Sequence, residues 1–205
     1  MAKINLDQMD SFHYDVLKEI GNIGAGNATT ALSKLIGGKL DMKVPKVELL
    51  EFTNLADIVG GAETIVVGIL LTLEDDIDGM MMFMLKKPSA HHLVNRLMGR
   101  QTEEDYEFDE MDLSALNEIG NIITGAYLSS LSTLTNLLIT PSIPYMAIDM
   151  AGAILSVPAI EFGKLGDKAL VIDTEFGDDD LFVDGYFILI PSLNSYEKIL
   201  SSLGL

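Results

Sequence analysis

The sequence contains no cysteine, so disulfide scaffolds and zinc or iron–sulfur sites with cysteine ligands are excluded. Basic residues are scarce, because 13 Lys and Arg stand against 31 Asp and Glu and give a net charge of −18. This balance argues against duplex nucleic acid as a partner, since binding to phosphates requires a basic surface. Long apolar runs are also missing: the longest, at residues 65–71 and 80–85, fall far short of the roughly 18 residues of a membrane span.

The remaining composition is that of a globular protein. Hydrophobic residues make up 48% of the 205 positions, which is enough for a packed core and too apolar for a disordered chain. The N-terminal residues lack the apolar segment of a signal peptide. We therefore expect a cytoplasmic protein that does not insert into a membrane.

The chain repeats itself at a constant spacing. Residues 15–35 and 114–134 are identical at 10 of 21 positions without a gap, at an offset of 99, far more than chance gives. Pro45 and Pro144 share this offset, and each half continues with apolar segments, an acidic turn and a short amphipathic run that ends in glycine. The sequence thus predicts one domain over residues 1–205 that arose by duplication, with halves at about 1–102 and 103–205.

Each half is predicted to contain a long helix, three strands and a short helix. The helices are predicted at 11–36, 89–98, 110–139 and 192–203, and the strands at 44–54, 62–73, 79–86, 144–156, 168–175 and 182–190. Neither half has enough faces to bury a core alone. The predicted fold class is α+β: two α-β-β-β-α units with pseudo-two-fold symmetry share one mixed or antiparallel sheet, on which the two long helices pack.

Acidic residues cluster at three places. Seven of the ten residues at 103–112 are acidic, which fits either a linker between the halves or a binding tail. Because this segment directly precedes the second long helix, where the macrodipole favours negative charge, we expect a linker that caps the helix. The clusters at 75–79 and 178–180 do not fit a calcium-binding loop and are expected to be hairpin turns.

Both long helices carry a polar stripe opposite an apolar face. At about 100° per residue, Asp15, Glu19 and Asn22 lie on one side of the first helix. Ser114, Glu118 and Asn121 form the same stripe in the second helix. The opposite faces hold residues that are expected to face the core: Leu17, Ile20, Gly24, Ala28, Ala31 and Leu35, and Leu116, Ile119, Ile123, Tyr127 and Leu134.

A solvated helix face is the plainest explanation of such a stripe. Two features count against it: the Glu and Asn recur in both halves where neighbouring exposed positions differ, and Asn is a poor helix-interior residue. Gly26 and Gly125 also lie on the stripe, although Gly in a helix interior costs about 1 kcal/mol relative to Ala. They indicate either clearance for an approaching surface or close packing between helices.

The stripe has chemical uses but is not a complete active site. An Asn amide can hold a water molecule in line with an electrophile, and a Glu can pair with a cation. The stripe would therefore complete a site whose metal, electrophile and leaving group belong to another protein.

The pattern Asp/Ser-x3-Glu-x2-Asn-x22-Pro occurs twice, at Asp15, Glu19, Asn22 and Pro45 and at Ser114, Glu118, Asn121 and Pro144. In this motif the sequence resembles the CheC/CheX/FliY family of chemotaxis phosphatases, and the resemblance covers essentially the whole chain. Two motif copies fit the CheC type, because the CheX type carries one copy and FliY has additional flagellar-switch sequence.

This resemblance implies an enzyme that hydrolyses the aspartyl phosphate of the response regulator CheY. It implies that Asn22 and Asn121 position the attacking water in the CheY site, and that Glu19 and Glu118 pair with a CheY lysine. Supporting roles are expected for the other motif positions, Asp15, Ser114, Pro45 and Pro144. We expect two competent sites, no cofactor of the chain's own, and Mg²⁺ on the CheY substrate.

The resemblance to the CheC type also implies binding of the receptor deamidase CheD, which raises phosphatase activity and is itself held off the receptors. Asp149 is the only charged residue at 145–160, and its counterpart at the offset of 99 is Leu50, so this acid is not part of the repeat. An exposed acid among small apolar residues could form a docking patch for CheD. A solvent-facing strand or loop acid is the plainer explanation.

Two other functions stay open at this point. A non-catalytic adaptor would bind the response regulator or the deamidase through the same stripes without hydrolysis. A metal-dependent hydrolase would need ligands at the acidic turns. The glycines at 21–26 do not follow the order of a dinucleotide-binding loop, and the histidines, His13, His91 and His92, have no partner cluster and are expected to be structural or surface residues.

Overall fold

A computed structural model describes residues 11–100, 106–162, 168–177 and 182–204. Its helices are α1 (Ser11–Ile36), α2 (Lys87–Met98), α3 (Glu110–Thr135), α4 (Ala151–Phe162) and α5 (Leu193–Ser202), with a 3-10 helix at Phe52–Val59. Its strands are β1 (Asp41–Lys43), β2 (Val47–Glu51), β3 (Ile65–Asp75), β4 (Gly79–Lys86), β5 (Ile139–Pro141), β6 (Tyr145–Met150), β7 (Lys168–Gly177) and β8 (Phe182–Pro191). None of the described helices combines the length and the apolar character needed to cross a membrane.

The second long helix begins where the sequence predicts, at Glu110. α3 starts with a reciprocal cap: the backbone N–H of Asp112 donates to Asp109 Oδ1 at 2.8 Å, and the N–H of Asp109 donates to Asp112 Oδ2 at 3.2 Å. The expected capping by the acidic segment is thus confirmed. The predicted end at residue 139 is wrong, because Asn136 adopts a left-handed conformation (φ 56°) that terminates the helix after Thr135.

Replacing Asp109 by alanine is expected to lower the free energy of unfolding by about 1 kcal/mol, since the cap of α3 loses its acceptor. Urea unfolding followed by circular dichroism measures this change. Asp109→Ser keeps a side-chain oxygen at the cap and should recover most of the loss. Equal losses in the two variants would show that the lost side-chain acceptor is not the cause of the destabilisation.

One antiparallel sheet holds all described strands. Its order is β1-β7-β8-β4-β3-β5, with β2 also paired to β7 and β6 also paired to β3. Every described pairing is antiparallel, which decides between the two sheet types that the sequence leaves open. The predicted α+β class, with two long helices on one sheet, is confirmed.

The halves exchange strands. β1 and β2 of the first half pair with β7 of the second, and β5 and β6 pair with β3 of the first. Replacing each strand by its counterpart from the other half gives the same order read from the opposite edge of the sheet. The duplication itself stays a prediction. The boundary at residues 102 and 103 stays a prediction, because residues 101–105 lie outside the described ones.

Both faces of the sheet are covered. On one face, α1, α2, α3 and α5 bury the main core, where Phe83 stacks on Phe187 with ring centroids 4.8 Å apart. Tyr127 of α3 stacks on the same Phe187 ring at 4.0 Å. On the other face, α4 and the 3-10 helix bury a smaller apolar cluster.

Two of the predicted strands are too long. The strand predicted at 144–156 ends at Met150, because the N–H groups of Ala151 and Gly152 donate to Thr64 O and Ala62 O and the chain turns into α4. The strand predicted at 44–54 corresponds to β2, which begins only at Val47 and gives way to the 3-10 helix at Phe52. Both helical segments cover the second sheet face, so tertiary burial overrides the strand-like apolar pattern.

The acidic cluster at 75–79 is a hairpin turn, as predicted. It joins β3 to β4, with Asp75 in a left-handed conformation (φ 77°). Asp76 Oδ2 accepts a hydrogen bond of 2.8 Å from the N–H of Leu138, which ties the turn to the second half. The cluster at 178–180 lies outside the described residues.

Candidate functional site

Helices α1 and α3 pack directly against each other on the main core. Gly24 of α1 faces Tyr127 of α3 so closely that a Cβ atom at Gly24 would lie 3.2 Å from the Tyr127 Cα. Asn27 Nδ2 donates a hydrogen bond of 3.1 Å to Ser130 Oγ across the same interface. The two helices that carry the polar stripes are therefore neighbours in one layer.

The stripe side chains lie on the surface of this layer. Asp15, Glu19 and Asn22 of α1 are exposed, as are Ser114, Glu118 and Asn121 of α3. Among the residues that the structure describes, none hydrogen-bonds to either Asn amide, and none forms an ion pair with either Glu. The amides and carboxylates are therefore available to an incoming molecule.

The apolar faces dock the helices as predicted over most of their length. Leu17, Ile20, Gly24 and Ala28 are buried in α1, and Leu116, Ile119, Ile123 and Tyr127 are buried in α3. The prediction is wrong for Leu35 and Leu134, which are 40% and 42% exposed. Near the end of each helix the buried arc shifts, so that Leu32 and Leu131 take the core positions one turn earlier.

The two motif prolines border the loops that lead into the sheet. Pro45 is exposed and lies between β1 and β2, where its carbonyl oxygen accepts a hydrogen bond of 2.7 Å from Lys18 Nζ of α1. The preceding Val44 packs against Gly21 of the same helix. Pro144 is half-buried and directly precedes β6. This arrangement fits a supporting role, because Pro45 joins the loop to the helix that carries the first stripe.

Asp149 lies on the outermost strand of one sheet edge, away from the stripes. It is opposite Val66 in the β3–β6 pairing, and its carboxylate accepts a hydrogen bond of 2.7 Å from the N–H of Met150. Exposed apolar side chains surround it on β6 and β3: Tyr145, Ile148, Met150 and Ile65. Its counterpart Leu50 instead packs against the second core, so the two sheet edges differ here.

Two ionisable groups with raised pKa values lie on the other sheet face. Burial, with a contribution from Glu48, raises the pKa of Asp173. Burial together with Asp184 and Asp173 raises the pKa of Tyr186 to about 12. Strand alternation places Asp173 on the face of Val171, opposite α1 and α3. Among the described residues, no three His, Cys, Asp or Glu side chains are grouped so that they could hold a metal ion.

The sequence reasoning missed one feature of the stripes. Phe12 and Met111 are 62% and 60% exposed, and each precedes its stripe Glu by two helical turns on the same face. They are separated by the repeat offset of 99, which is the signal that could have found them.

Comparison with known proteins gives the family. Residues 12–49 match the CheC-like family, and residues 67–162 match Chemotaxis phosphatase CheX. The chain is 38% identical over 194 residues to the CheY-P phosphatase CheC of Bacillus subtilis (strain 168), which covers 93% of each chain. The chain belongs to the CheC family. The family resemblance predicted from the twice-occurring motif is thereby confirmed, and this CheC-family protein is a phosphatase.

Solved structures agree with the family assignment at the level of the fold. The crystal structure of Thermotoga maritima FliY superimposes with a TM-score of 0.77 at 24% identity, covering 96% of the CheC-family chain and 98% of the other. The FliM middle domain from H. pylori superimposes with a TM-score of 0.69 at 14% identity, covering 95% and 99%. At these identities the similarity describes the fold alone.

Proposed function

We propose that this chain hydrolyses the aspartyl phosphate of phosphorylated CheY in chemotaxis, and that both stripes do so. The observation that carries the proposal is the recurrence of an exposed Glu and an exposed Asn on two neighbouring helices. These side chains have no partner among the described residues, which suits groups that act on another protein. The 38% identity to a CheY-P phosphatase supplies the substrate.

In the proposed mechanism, Asn22 or Asn121 enters the CheY site and orients a water molecule in line with the phosphorus. A neutral amide can approach the anionic phosphoryl group, whereas a carboxylate would be repelled. The acyl phosphate is already a good electrophile, so positioning and charge neutralisation account for most of the acceleration. Water attacks the phosphorus, the P–O bond to the aspartyl group breaks, and inorganic phosphate leaves.

The remaining groups have supporting parts in this proposal. Glu19 and Glu118 pair with a lysine of CheY and so align the two proteins. Mg²⁺ belongs to CheY, where it neutralises phosphoryl charge. Asp15 and Ser114 border the stripe, and Pro45 and Pro144 shape the loops beside it.

Phosphate release on mixing with phosphorylated CheY and Mg²⁺ tests the proposal. Catalysis requires release faster than CheY alone shows, at chain concentrations well below that of CheY. A non-catalytic adaptor would bind phosphorylated CheY without accelerating release, and this outcome would refute the proposed hydrolysis.

We further propose that the sheet edge around Asp149 binds the deamidase CheD. β6 is paired only to β3 among the described strands, so one side of its backbone is open to a partner. The exposed apolar side chains Tyr145, Ile148 and Met150 supply contact area on the same strand. Asp149 contributes one negative charge within this apolar surface, which favours a partner with a basic group at that point.

Charge reversal at Asp149 is expected to weaken CheD binding at least about tenfold, because a lysine would face the partner's basic group. Isothermal titration calorimetry with CheD measures the affinity. Glu51→Lys is the matched control, since Glu51 is an exposed acid on β2, the equivalent strand at the other sheet edge. Unchanged affinity for Asp149→Lys would remove this surface from the proposal without affecting the phosphatase stripes.

A further inference from the structure

Gly26 and Gly125 occupy the same place in the two stripes. Each follows its stripe Asn by about one helical turn, is exposed, and lies in the interior of a helix of 26 residues. Neither has a positive φ, so the backbone at both positions is one that any residue adopts. Glycine weakens a helix at such positions relative to alanine, without a conformational need for it.

Packing within the chain does not explain these two glycines. A Cβ atom at Gly26 or Gly125 would have no atom of the described residues within 4 Å, apart from its own helix backbone and chain neighbours. Gly24 and Gly120 differ, since a Cβ atom there would press against Tyr127 and Ile69. Of the two explanations open from the sequence, close helix packing is therefore wrong for Gly26 and Gly125, while it applies to Gly24.

The opposite end of each stripe carries an independent sign of a partner. Phe12 and Met111, 62% and 60% exposed, start the two stripes at equivalent positions. A single exposed apolar residue is ordinary, but a large one at the same place in both copies indicates a repeated contact. Phe12 and Gly26 are about 20 Å apart along α1, which is within the width of a standard interface of roughly 800 Å² per partner.

We propose that each stripe, extended from its exposed apolar residue to its glycine, is a docking surface for a phosphorylated response regulator. Gly26 and Gly125 have a clearance role in it: they leave room for the regulator where a side chain would collide. The apolar residue anchors the regulator at one end, the Glu and Asn act in the middle, and the absent Cβ lets the regulator's main chain approach the helix at the other end. This proposal rests on the proposed hydrolysis of phosphorylated CheY. Close approach matters because an error of about 1 Å in placing a reacting group can cost on the order of 10²-fold in rate.

The double variant Gly26→Ala, Gly125→Ala tests the proposal, because it should stabilise the fold and impair the reaction. We expect Tm to rise by about 2–4 °C for each substitution, since alanine favours the helix and its methyl group meets no side chain in the described part of the chain. We expect kcat/KM for phosphate release from phosphorylated CheY to fall at least about tenfold, because both methyl groups hold the Asn away from the phosphorus.

The matched control is Thr30→Ala, Ser129→Ala. These exposed residues lie one turn further along the same faces and are also related by the offset of 99. Alanine there favours the helix but removes atoms from the surface, so Tm should rise while kcat/KM stays unchanged. An equal loss of activity in the control would attribute the effect to helix stiffening and overturn the clearance role.

The remaining outcomes are also decisive. Wild-type kcat/KM in the glycine double variant, or a lowered Tm, would overturn the clearance role. Failure of the wild-type chain to accelerate phosphate release from phosphorylated CheY would instead overturn the proposed hydrolysis itself. The two failures are therefore distinguishable.

Discussion

Replacing Asn22 and Asn121 together by alanine is expected to lower catalysed phosphate release from phosphorylated CheY by about 10²–10³-fold. The amide is the group that orients the attacking water, and alanine offers neither a donor nor an acceptor in its place. Both side chains are exposed and have no partner among the described residues, so the fold should be unaffected. Phosphate release with Mg²⁺ present gives the rate, and circular dichroism checks the fold.

Single variants and a control refine this experiment. With two competent sites, Asn22→Ala and Asn121→Ala should each retain about half of the activity, whereas complete loss in one would assign catalysis to that stripe alone. Asn54→Ala, Asn194→Ala removes two exposed asparagines that lie outside α1 and α3 and should retain the full rate. Wild-type activity in the stripe double variant would refute the assignment of the asparagines.

The second large effect is expected from Phe83→Ala, which should lower the free energy of unfolding by about 3–5 kcal/mol. Phe83 is fully buried in β4, stacks on Phe187 and meets Phe176 edge-on at 5.6 Å. Removing its ring leaves a cavity between the middle strands of the sheet and the helices that carry the stripes. The midpoint and slope of urea unfolding give the change.

An exposed apolar residue provides the contrast to Phe83. Ile143 is 91% exposed in the loop before β6, so Ile143→Ala should change stability by less than about 0.5 kcal/mol. If Phe83→Ala and Ile143→Ala lowered the free energy of unfolding by similar amounts, the aromatic stack would contribute no more to stability than an exposed side chain does. Phe83→Ala should also reduce phosphatase activity only in proportion to the unfolded fraction, since the residue does not reach the surface.

The long helices and their stripes were predictable because their signals are local. α1 ends at Ile36 as predicted, and the stripe residues are exposed because the opposite arc is buried. The repeat offset of 99 strengthened this prediction, since the same Glu and Asn recur on both helices. The sequence assigns their roles only through family resemblance, and those roles stay predictions.

The wrong secondary-structure predictions concern apolar segments that pack against residues distant in the chain. The sequence predicts that residues 151–156 continue a strand, because an apolar run of this length fits a buried strand as well as a buried helix. The choice is made by the second sheet face, where Ile154 and Leu155 of α4 cover strands from both halves. Nothing within the segment itself specifies that surface.

The sequence by itself determined the duplication hypothesis, the two amphipathic helices and the Glu/Asn stripes, because periodicity and repeat spacing depend only on positions along the chain. Only the tertiary structure decided that the halves exchange strands and that β6 is an edge strand among those described. It also decided that Gly24 packs against Tyr127 while Gly26, two residues later, meets no side chain of the described residues. The physical reason is that burial and clearance depend on which distant surfaces meet, and residue types within a window of sequence do not carry that information.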